Sequence, residues 1–126
     1  MYNPDWLTKF SGTADELDAI LKDHITHVIQ GVNSKVGQKV TFWDVVNEAV
    51  TDDGHADQPL KDAAPWYPLL PDYVDRAFWY AREVDPDAAL FYNDYNVVTS
   101  KHKEDLIYEM IQGMKSRDVP IDGIGL

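Results

Sequence analysis

The stretch WDVVNEA, residues 43–49, decides the fold of this 126-residue chain. With the three residues before it, it forms a run of β-branched and aromatic residues in which apolar and polar positions hardly alternate. Such a run is typical of a strand that is covered on both faces, as the strands of parallel sheets are. We therefore predict a buried strand over residues 40–47, which ends at the polar pair Asn47 and Glu48.

A long helix is predicted ahead of this strand. Thr13 and Glu16 have the spacing of a capping box, in which each side chain caps the backbone of the other residue. The apolar residues that follow recur at helical spacing: Leu17, Ile20, Leu21, Ile25, Val28, Ile29 and Val32. These signals predict a helix over residues 14–31, followed by a loop from Asn33 to Gln38.

Two further helix and strand pairs are predicted after the first strand, from apolar stripes and from the capping residue Ser100 and the helix stop Pro86. The predicted helices cover residues 71–84 and 100–116, and the predicted strands cover residues 88–93 and 120–125. This order of elements implies parallel strands joined by right-handed crossovers. The stretch from Ala49 to Leu70 contains one Gly and three Pro residues, so we predict a long irregular excursion there.

The composition fits one small acidic domain. The chain has 11 Lys and Arg against 22 Asp and Glu, a formal charge of -11, and 44% of its residues are hydrophobic. A surface this acidic repels phosphate backbones and anionic membranes, so neither nucleic acid nor a membrane is expected as a partner. The first residues show no signal-peptide pattern, and the chain has no cysteine, which excludes disulfides and thiol chemistry.

Polar residues follow two of the predicted strands. Asn47 and Glu48 end the first strand, and the run from Asn93 to Asn96 ends the second. In parallel α/β folds ligands bind at the carboxyl ends of the strands, so both sets fall where a site should lie. A strand-end Glu or Asn can also simply cap the next helix, and position alone leaves the two interpretations open.

The literal strings carry a resemblance. NPDWL (residues 3–7), WDVVNEA (43–49), FYNDYN (91–96) and IDGIG (121–125) closely resemble, in order and separation, the motifs of family-10 glycoside hydrolases, the endo-1,4-β-xylanases. The resemblance implies an α/β fold, the parallel βαβαβ portion of an incomplete TIM (β/α)₈ barrel from after its third strand to its sixth. Residues 1–126 would then be a single partial catalytic domain. The implied activity is hydrolysis of internal β-1,4-xylosidic bonds in xylan with retention, and the implied location is extracellular.

The resemblance also implies a role for each strand-end residue. Glu48 matches the general acid/base, which protonates the leaving glycosidic oxygen and then deprotonates the attacking water. This role needs a carboxyl that keeps its proton near neutral pH, as an aromatic, partly dry strand end allows. Asn47 is similar to the asparagine that contacts the sugar 2-hydroxyl. The remaining matches are the substrate contacts Asn93, Tyr95 and Asn96, and Asp94, a carboxylate that supports them without touching sugar.

The chain departs from the family pattern in its second carboxylate. A retaining glycosidase needs a nucleophile about 5 Å from the acid/base, and in this family it lies on the seventh strand, whereas this chain stops at the sixth. The other glutamates all lie on predicted helices: Glu16, Glu83, Glu104 and Glu109. The family often has Gln where this chain has Tyr2. We therefore expect the chain to carry only the acid/base half of the site and to be inactive alone.

Other residues are interpreted mainly as structural. His24 has the spacing of the apolar helical stripe, which predicts a histidine in the core or between helices rather than a ligand. The other histidines lack metal-site spacing, so no metal and no cofactor are expected. Trp66 and Tyr67 stand beside prolines, and both a sugar-stacking platform and packing of the loop remain open.

Three functional classes remain open from the sequence. The chain can be glycosidase-derived and act with the missing strands, or be a non-catalytic sugar-binding module, or be a self-assembling barrel fragment. Parallel strands need cover on both faces and at their edges, and a partial barrel cannot close on itself. We therefore expect a homo-oligomer or a complementary barrel fragment as a partner, beside xylan or xylo-oligosaccharide.

Overall fold

Three parallel strands form the central sheet of the computed structural model, which describes residues 3–126. Strand β1 (Phe42–Asn47) pairs with β4 (Ala89–Asn93), which pairs in turn with β5 (Gly123–Gly125). This confirms the predicted order of parallel strands, each a little shorter than its predicted range. Tyr2, the position at which the resembling family often has Gln, lies outside the described residues.

Three main helices cover one face of this sheet and its flank. They are α2 (Ala14–Val36), α3 (Tyr73–Val84) and α4 (Lys101–Ser116), preceded by the short α1 (Asp5–Thr8). The predicted capping box of α2 is present, because Thr13 and Glu16 cap each other's backbone N–H groups.

Helix α2 is longer than predicted. It continues past residue 31 to Val36 and ends at Gly37, which has a φ of 74° and donates its N–H to the Asn33 carbonyl oxygen. Only glycine adopts this left-handed conformation without a steric cost, so the helix ends there and not at the last residue of the apolar stripe. The predicted loop from Asn33 onward is therefore mostly helical.

The prediction of an irregular excursion over residues 49–70 is wrong in its first half. Strands β2 (Val50–His55) and β3 (Gln58–Leu60) form an antiparallel hairpin there. Acidic residues, Gly54 and Pro59 disfavour strands, so the local sequence hides the hairpin. Tertiary contacts support it instead: β2 packs against α4, and His102 Nε2 lies 2.8 Å from the Gly54 carbonyl oxygen.

The core lies between the sheet and the helices, whereas the opposite face of the sheet is open. Leu90 and Tyr92 of β4 point into the core and are fully buried. On the opposite face, Phe42 is 59% exposed and meets Phe91 edge to face, with 6.3 Å between ring centroids. The expectation that β1 is covered on both faces is therefore wrong for this chain, because three strands cannot curl round to enclose that face.

His24 is exposed, so the prediction that it belongs to a core or an interhelix contact is also wrong. It borders a small groove with Val28 of α2 and with Trp43 and Val45 of β1. This groove lies at the free edge of β1, where no further strand of the described residues covers the helix.

Across residues 3–126 the structure has no helix long and apolar enough to traverse a bilayer.

Candidate active site

Glu48 follows the last residue of β1 in a conformation that is unusual for a residue with a side chain. Its φ is 56°, in the left-handed region, and its side chain is half-buried. Its backbone N–H donates to the carbonyl oxygen of Asn93 at 2.8 Å, so the turn after β1 is bonded to the end of β4. Left-handed backbone costs a non-glycine residue about 1–2 kcal/mol, and such outliers cluster at functional sites.

A buried tyrosine fixes the two residues that follow Glu48. The N–H groups of Ala49 and Val50 both donate to Tyr92 Oη, at 3.1 and 3.0 Å. Tyr92 in turn donates its hydroxyl proton to Asp94 Oδ2. Burial, together with the hydrogen bond to Asp94, raises the pKa of Tyr92 far above its ordinary value, so the phenol keeps the proton that it donates.

Asn47 and Asn93 stand side by side on the open face of the sheet. Asn93 Nδ2 donates to Asn47 Oδ1 at 2.6 Å, and a bulge between Asp44 and Val46 brings the two strand ends into this register. A Cβ atom on Gly125 of β5 would lie 2.5 Å from Asn93 Oδ1. The absence of a side chain at Gly125 therefore leaves the space that the Asn93 side chain occupies.

Tyr95 and Asp94 belong to a cluster around Lys103, a residue that the sequence analysis missed. Lys103 Nζ donates to Asp94 Oδ1 at 2.9 Å and to Asp52 Oδ1 at 2.8 Å, and it lies 3.5 Å from the centroid of the Tyr95 ring. Tyr95 Oη donates to Asp52 Oδ2 at 2.7 Å. Asp94 is buried, and its carboxylate also accepts the Tyr92 hydroxyl and the Tyr95 N–H.

Asn96 lies at the margin of this group. It is exposed, with a φ of 60°, and its carbonyl oxygen accepts the N–H groups of Thr99 and Ser100 in the turn before α4. The structure thus brings Asn47, Glu48 and Asn93 together at one edge of the sheet, with Tyr95 close by and Asn96 one residue further along the turn.

Trp66 does not lie at the strand ends. It is buried and stacks on Tyr73, with 6.2 Å between ring centroids and 27° between the ring planes. Of the two interpretations open for this residue, packing of the loop is the one that the structure supports.

The four glutamates other than Glu48 all lie on helices α2, α3 and α4. Among residues 3–126, no group of three or more His, Asp or Glu side chains is arranged to hold a metal ion.

The fold and the strand-end site define a class of protein. The structure matches xylanase 10B of Thermotoga maritima with a TM-score of 0.82 at 39% identity, over 96% of this chain and 35% of that chain. It matches an intracellular xylanase of Thermoanaerobacterium saccharolyticum, solved as a mutant with xylotriose, with a TM-score of 0.84 at 34% identity, over 96% and 39% of the two chains. The chain is a portion of an α/β barrel with its candidate site at the carboxyl ends of the strands.

Sequence comparison identifies the family. The family described as Glycosyl hydrolase family 10 matches residues 2–126. Endo-1,4-beta-xylanase B of Thermotoga neapolitana is 42% identical over 97% of this chain and 33% of its own length. A beta-1,4-xylanase of Dictyoglomus thermophilum is 41% identical over 98% of this chain and 32% of its own length. The chain belongs to glycosyl hydrolase family 10, and it spans about a third of the length of these relatives.

Proposed function

We propose that this chain supplies the acid/base half of a retaining β-1,4-xylanase site, with Glu48 as the general acid/base. One observation carries the proposal: the Glu48 turn is held in a left-handed conformation by Asn93 and Tyr92, on the edge of the sheet where Asn47 is exposed and Asn93 is half-buried. A helix-capping role would not need this conformation. The family match and the relatives solved with xylotriose and xylobiose support xylan as the substrate class.

The proposed chemistry assigns one proton to Glu48. Its carboxyl protonates the glycosidic oxygen as the leaving sugar departs, and the resulting carboxylate later takes a proton from the attacking water. Asn47 binds the 2-hydroxyl of the sugar being cleaved, while Asn93, Tyr95 and Asn96 contact the leaving-group side. No glutamate of this chain can serve as the nucleophile, since the other four lie on helices. We therefore expect negligible xylan hydrolysis by the 126-residue chain and weak binding of xylo-oligosaccharide.

Two measurements test this proposal. The first is release of reducing ends from xylan by the purified chain and by its Glu48→Gln variant, and we expect neither to exceed the blank. The second is an NMR titration with xylotetraose, which should shift the signals of Asn47, Asn93 and Tyr95 and leave those of α2 unchanged. Robust turnover that disappears in Glu48→Gln would contradict the expected inactivity and would mean that a neighbouring copy places a second carboxylate across the interface. Absence of any shift would contradict the sugar contacts.

A self-assembling fragment is the second candidate, and the open face of the sheet favours it. Phe42 and Phe91 are partly exposed there, and β1 and β5 each present a free edge among the described residues. Such edges pair readily with another chain. A second copy or a complementary barrel segment is therefore our proposed protein partner, and this assembly is compatible with the proposed acid/base role.

A further inference from the structure

Lys103 is a charged residue in a place where lysine is rare. Its side chain is completely buried, and its ammonium group contacts two carboxylates and one aromatic ring, those of Asp94, Asp52 and Tyr95. A lysine has three N–H donors, and here two are directed to carboxylates while the ammonium also lies against the Tyr95 ring. Burying a charge is costly unless it is paired, and the contacts with Asp94, Asp52 and Tyr95 compensate the cost of burying the Lys103 ammonium.

One series of contacts leads from Lys103 to Glu48. The ammonium binds Asp94, whose other oxygen accepts the Tyr92 hydroxyl. The same hydroxyl oxygen accepts the N–H groups of Ala49 and Val50, the two residues directly after Glu48. The backbone that carries the proposed acid/base is thus connected to the Lys103 cation through two successive buried groups, the Asp94 carboxylate and the Tyr92 hydroxyl.

A second series of contacts leads from Lys103 to Tyr95. Asp52, from the β2–β3 hairpin, binds Lys103 with one oxygen and the Tyr95 hydroxyl with the other. The Tyr95 N–H also donates to Asp94 at 2.8 Å. Tyr95 remains 39% exposed, so its orientation is fixed while part of its surface stays free for a ligand.

We propose that Lys103 is a positioning residue that sets the Glu48 turn and the Tyr95 side chain relative to each other through one buried cation. The inference rests on the proposed function for the roles of Glu48 and Tyr95, and it goes beyond that function by assigning their common support. Burial alone would lower the pKa of Lys103, but its hydrogen bonds with Asp52 and Asp94 outweigh this effect and raise the pKa above the ordinary value. The cation is therefore retained throughout the neutral range.

The test compares variants that cut the cluster at different points. Lys103→Met removes the common cation, and Tyr92→Phe removes the hydroxyl that reaches Ala49 and Val50. Asp52→Asn weakens the bonds of residue 52 to Tyr95 and Lys103 but leaves the contacts from Lys103 through Asp94 to Tyr92 in place. Lys101→Met is the matched control, since it removes one exposed lysine from the same helix. The readouts are amide hydrogen exchange at Ala49 and Val50 and the xylotetraose-induced shift of the Tyr95 signals, under conditions where each variant is folded.

We expect Lys103→Met to speed exchange at Ala49 and Val50 about tenfold, as the loss of hydrogen-bond support implies, and to reduce the Tyr95 response to xylotetraose several-fold. Tyr92→Phe should change only the first readout and Asp52→Asn only the second. The proposal is overturned if Lys103→Met behaves like Lys101→Met, or if it raises exchange equally at all amides, which is what a merely structural role would do.

A measurement on the unmodified chain covers the case in which Lys103→Met does not fold. The Lys103 ammonium should give a slowly exchanging ¹H–¹⁵N signal with cross-relaxation to the Tyr95 ring, unlike the exposed Lys101. An ammonium that exchanges as fast as that of Lys101 would overturn the proposal. The exchange and ammonium readouts need no sugar, so they decide the role of Lys103 even if xylotetraose fails to bind and the proposed function itself is lost.

Discussion

The backbone N–H of Glu48 is bonded to the carbonyl oxygen of Asn93 at 2.8 Å, so the turn after β1 is fixed to the last residue of β4. The side chains of Asn47 and Asn93 join the same two strands a residue earlier, at 2.6 Å. The two strand ends are therefore held together both through the backbone and through side chains. This double connection sets the position of Glu48, the proposed acid/base, and it makes the turn sensitive to changes in backbone conformation.

Replacing Glu48 by glycine should give a more stable protein than replacing it by alanine. Glycine reaches a φ of 56° without the steric cost that alanine bears, so we expect the glycine variant to be more stable by about 1 kcal/mol. Glu83, exposed on α3, is the control, since in a helix alanine is favoured over glycine by about 1 kcal/mol. Urea unfolding of the four variants measures both differences. The same sign at the two positions would refute the argument from strain.

Gly125→Ala should disturb the asparagine pair. The new Cβ would lie 2.5 Å from Asn93 Oδ1, so the Asn93 side chain must turn away and lose its bond to Asn47. We expect a destabilisation of about 0.5–1.5 kcal/mol and a weaker response of Asn47 to xylotetraose. Gly31→Ala, where a Cβ meets nothing within 4 Å, should instead stabilise α2 by about 0.5–1 kcal/mol. Unchanged Asn93 side-chain NMR signals in Gly125→Ala would count against this prediction.

Stability should fall as the pH rises above 10. Burial raises the pKa of Tyr73 to about 12, whereas the unfolded chain releases the same proton near pH 10. Between these values only the unfolded state loses the proton, so stability that is complete below pH 10 decreases by roughly 2–3 kcal/mol up to pH 12. Tyr92 and Lys103, whose pKa values are also raised, act in the same direction.

Tyr73→Phe isolates this contribution. Urea unfolding between pH 9 and 12, in roughly unit steps, should show a shallower loss of stability in the variant than in the parent chain. Tyr108→Phe, at an exposed tyrosine of α4, should retain the steeper dependence. If Tyr73→Phe and the parent chain lose stability in parallel, burial of the Tyr73 phenol is not a cause of the alkaline instability.

The chain should associate with itself in solution. The open face exposes Phe42 and part of Phe91, and the free edges of β1 and β5 offer unpaired backbone groups to another strand. Sedimentation equilibrium at micromolar concentration is expected to show a dimer or larger species, and Phe42→Ser should weaken it. A compact monomer of the parent chain at that concentration would speak against this prediction and would require another cover for the open face.

Periodic patterns and caps were sufficient to predict the regular part of the fold. The Thr13 and Glu16 capping box placed the start of α2, and the apolar run before Asn47 placed β1. The ends of elements were harder, because the end of α2 depends on the left-handed conformation of Gly37 and not on hydrophobicity. The β2–β3 hairpin could not be predicted from local preference, since Gly54 and Pro59 disfavour strands and the contact with α4 holds β2 in place.

The candidate site was predictable only where the residues themselves carry chemistry. Asn47 and Glu48 stand out as polar residues after an apolar strand, whereas nothing in the helix that contains Lys103 distinguishes a buried lysine from a solvated one. Its partners Asp52 and Asp94 are 51 and 9 residues away in sequence, and only the folded chain brings them together. The prediction that His24 is buried was wrong because helical spacing does not reveal that its face of α2 lies over the free edge of β1.

The hydrogen bonds that hold the Glu48 turn, and the ion pair that supports them, all join residues of one continuous stretch, from Asn47 to Lys103. A genetic crossover between two barrels of this family, placed before β1 and after β5, would transfer that stretch without cutting any of these bonds. The proposed acid/base portion of the site is thus inheritable as a block, and its residues can change together while the rest of a barrel evolves separately.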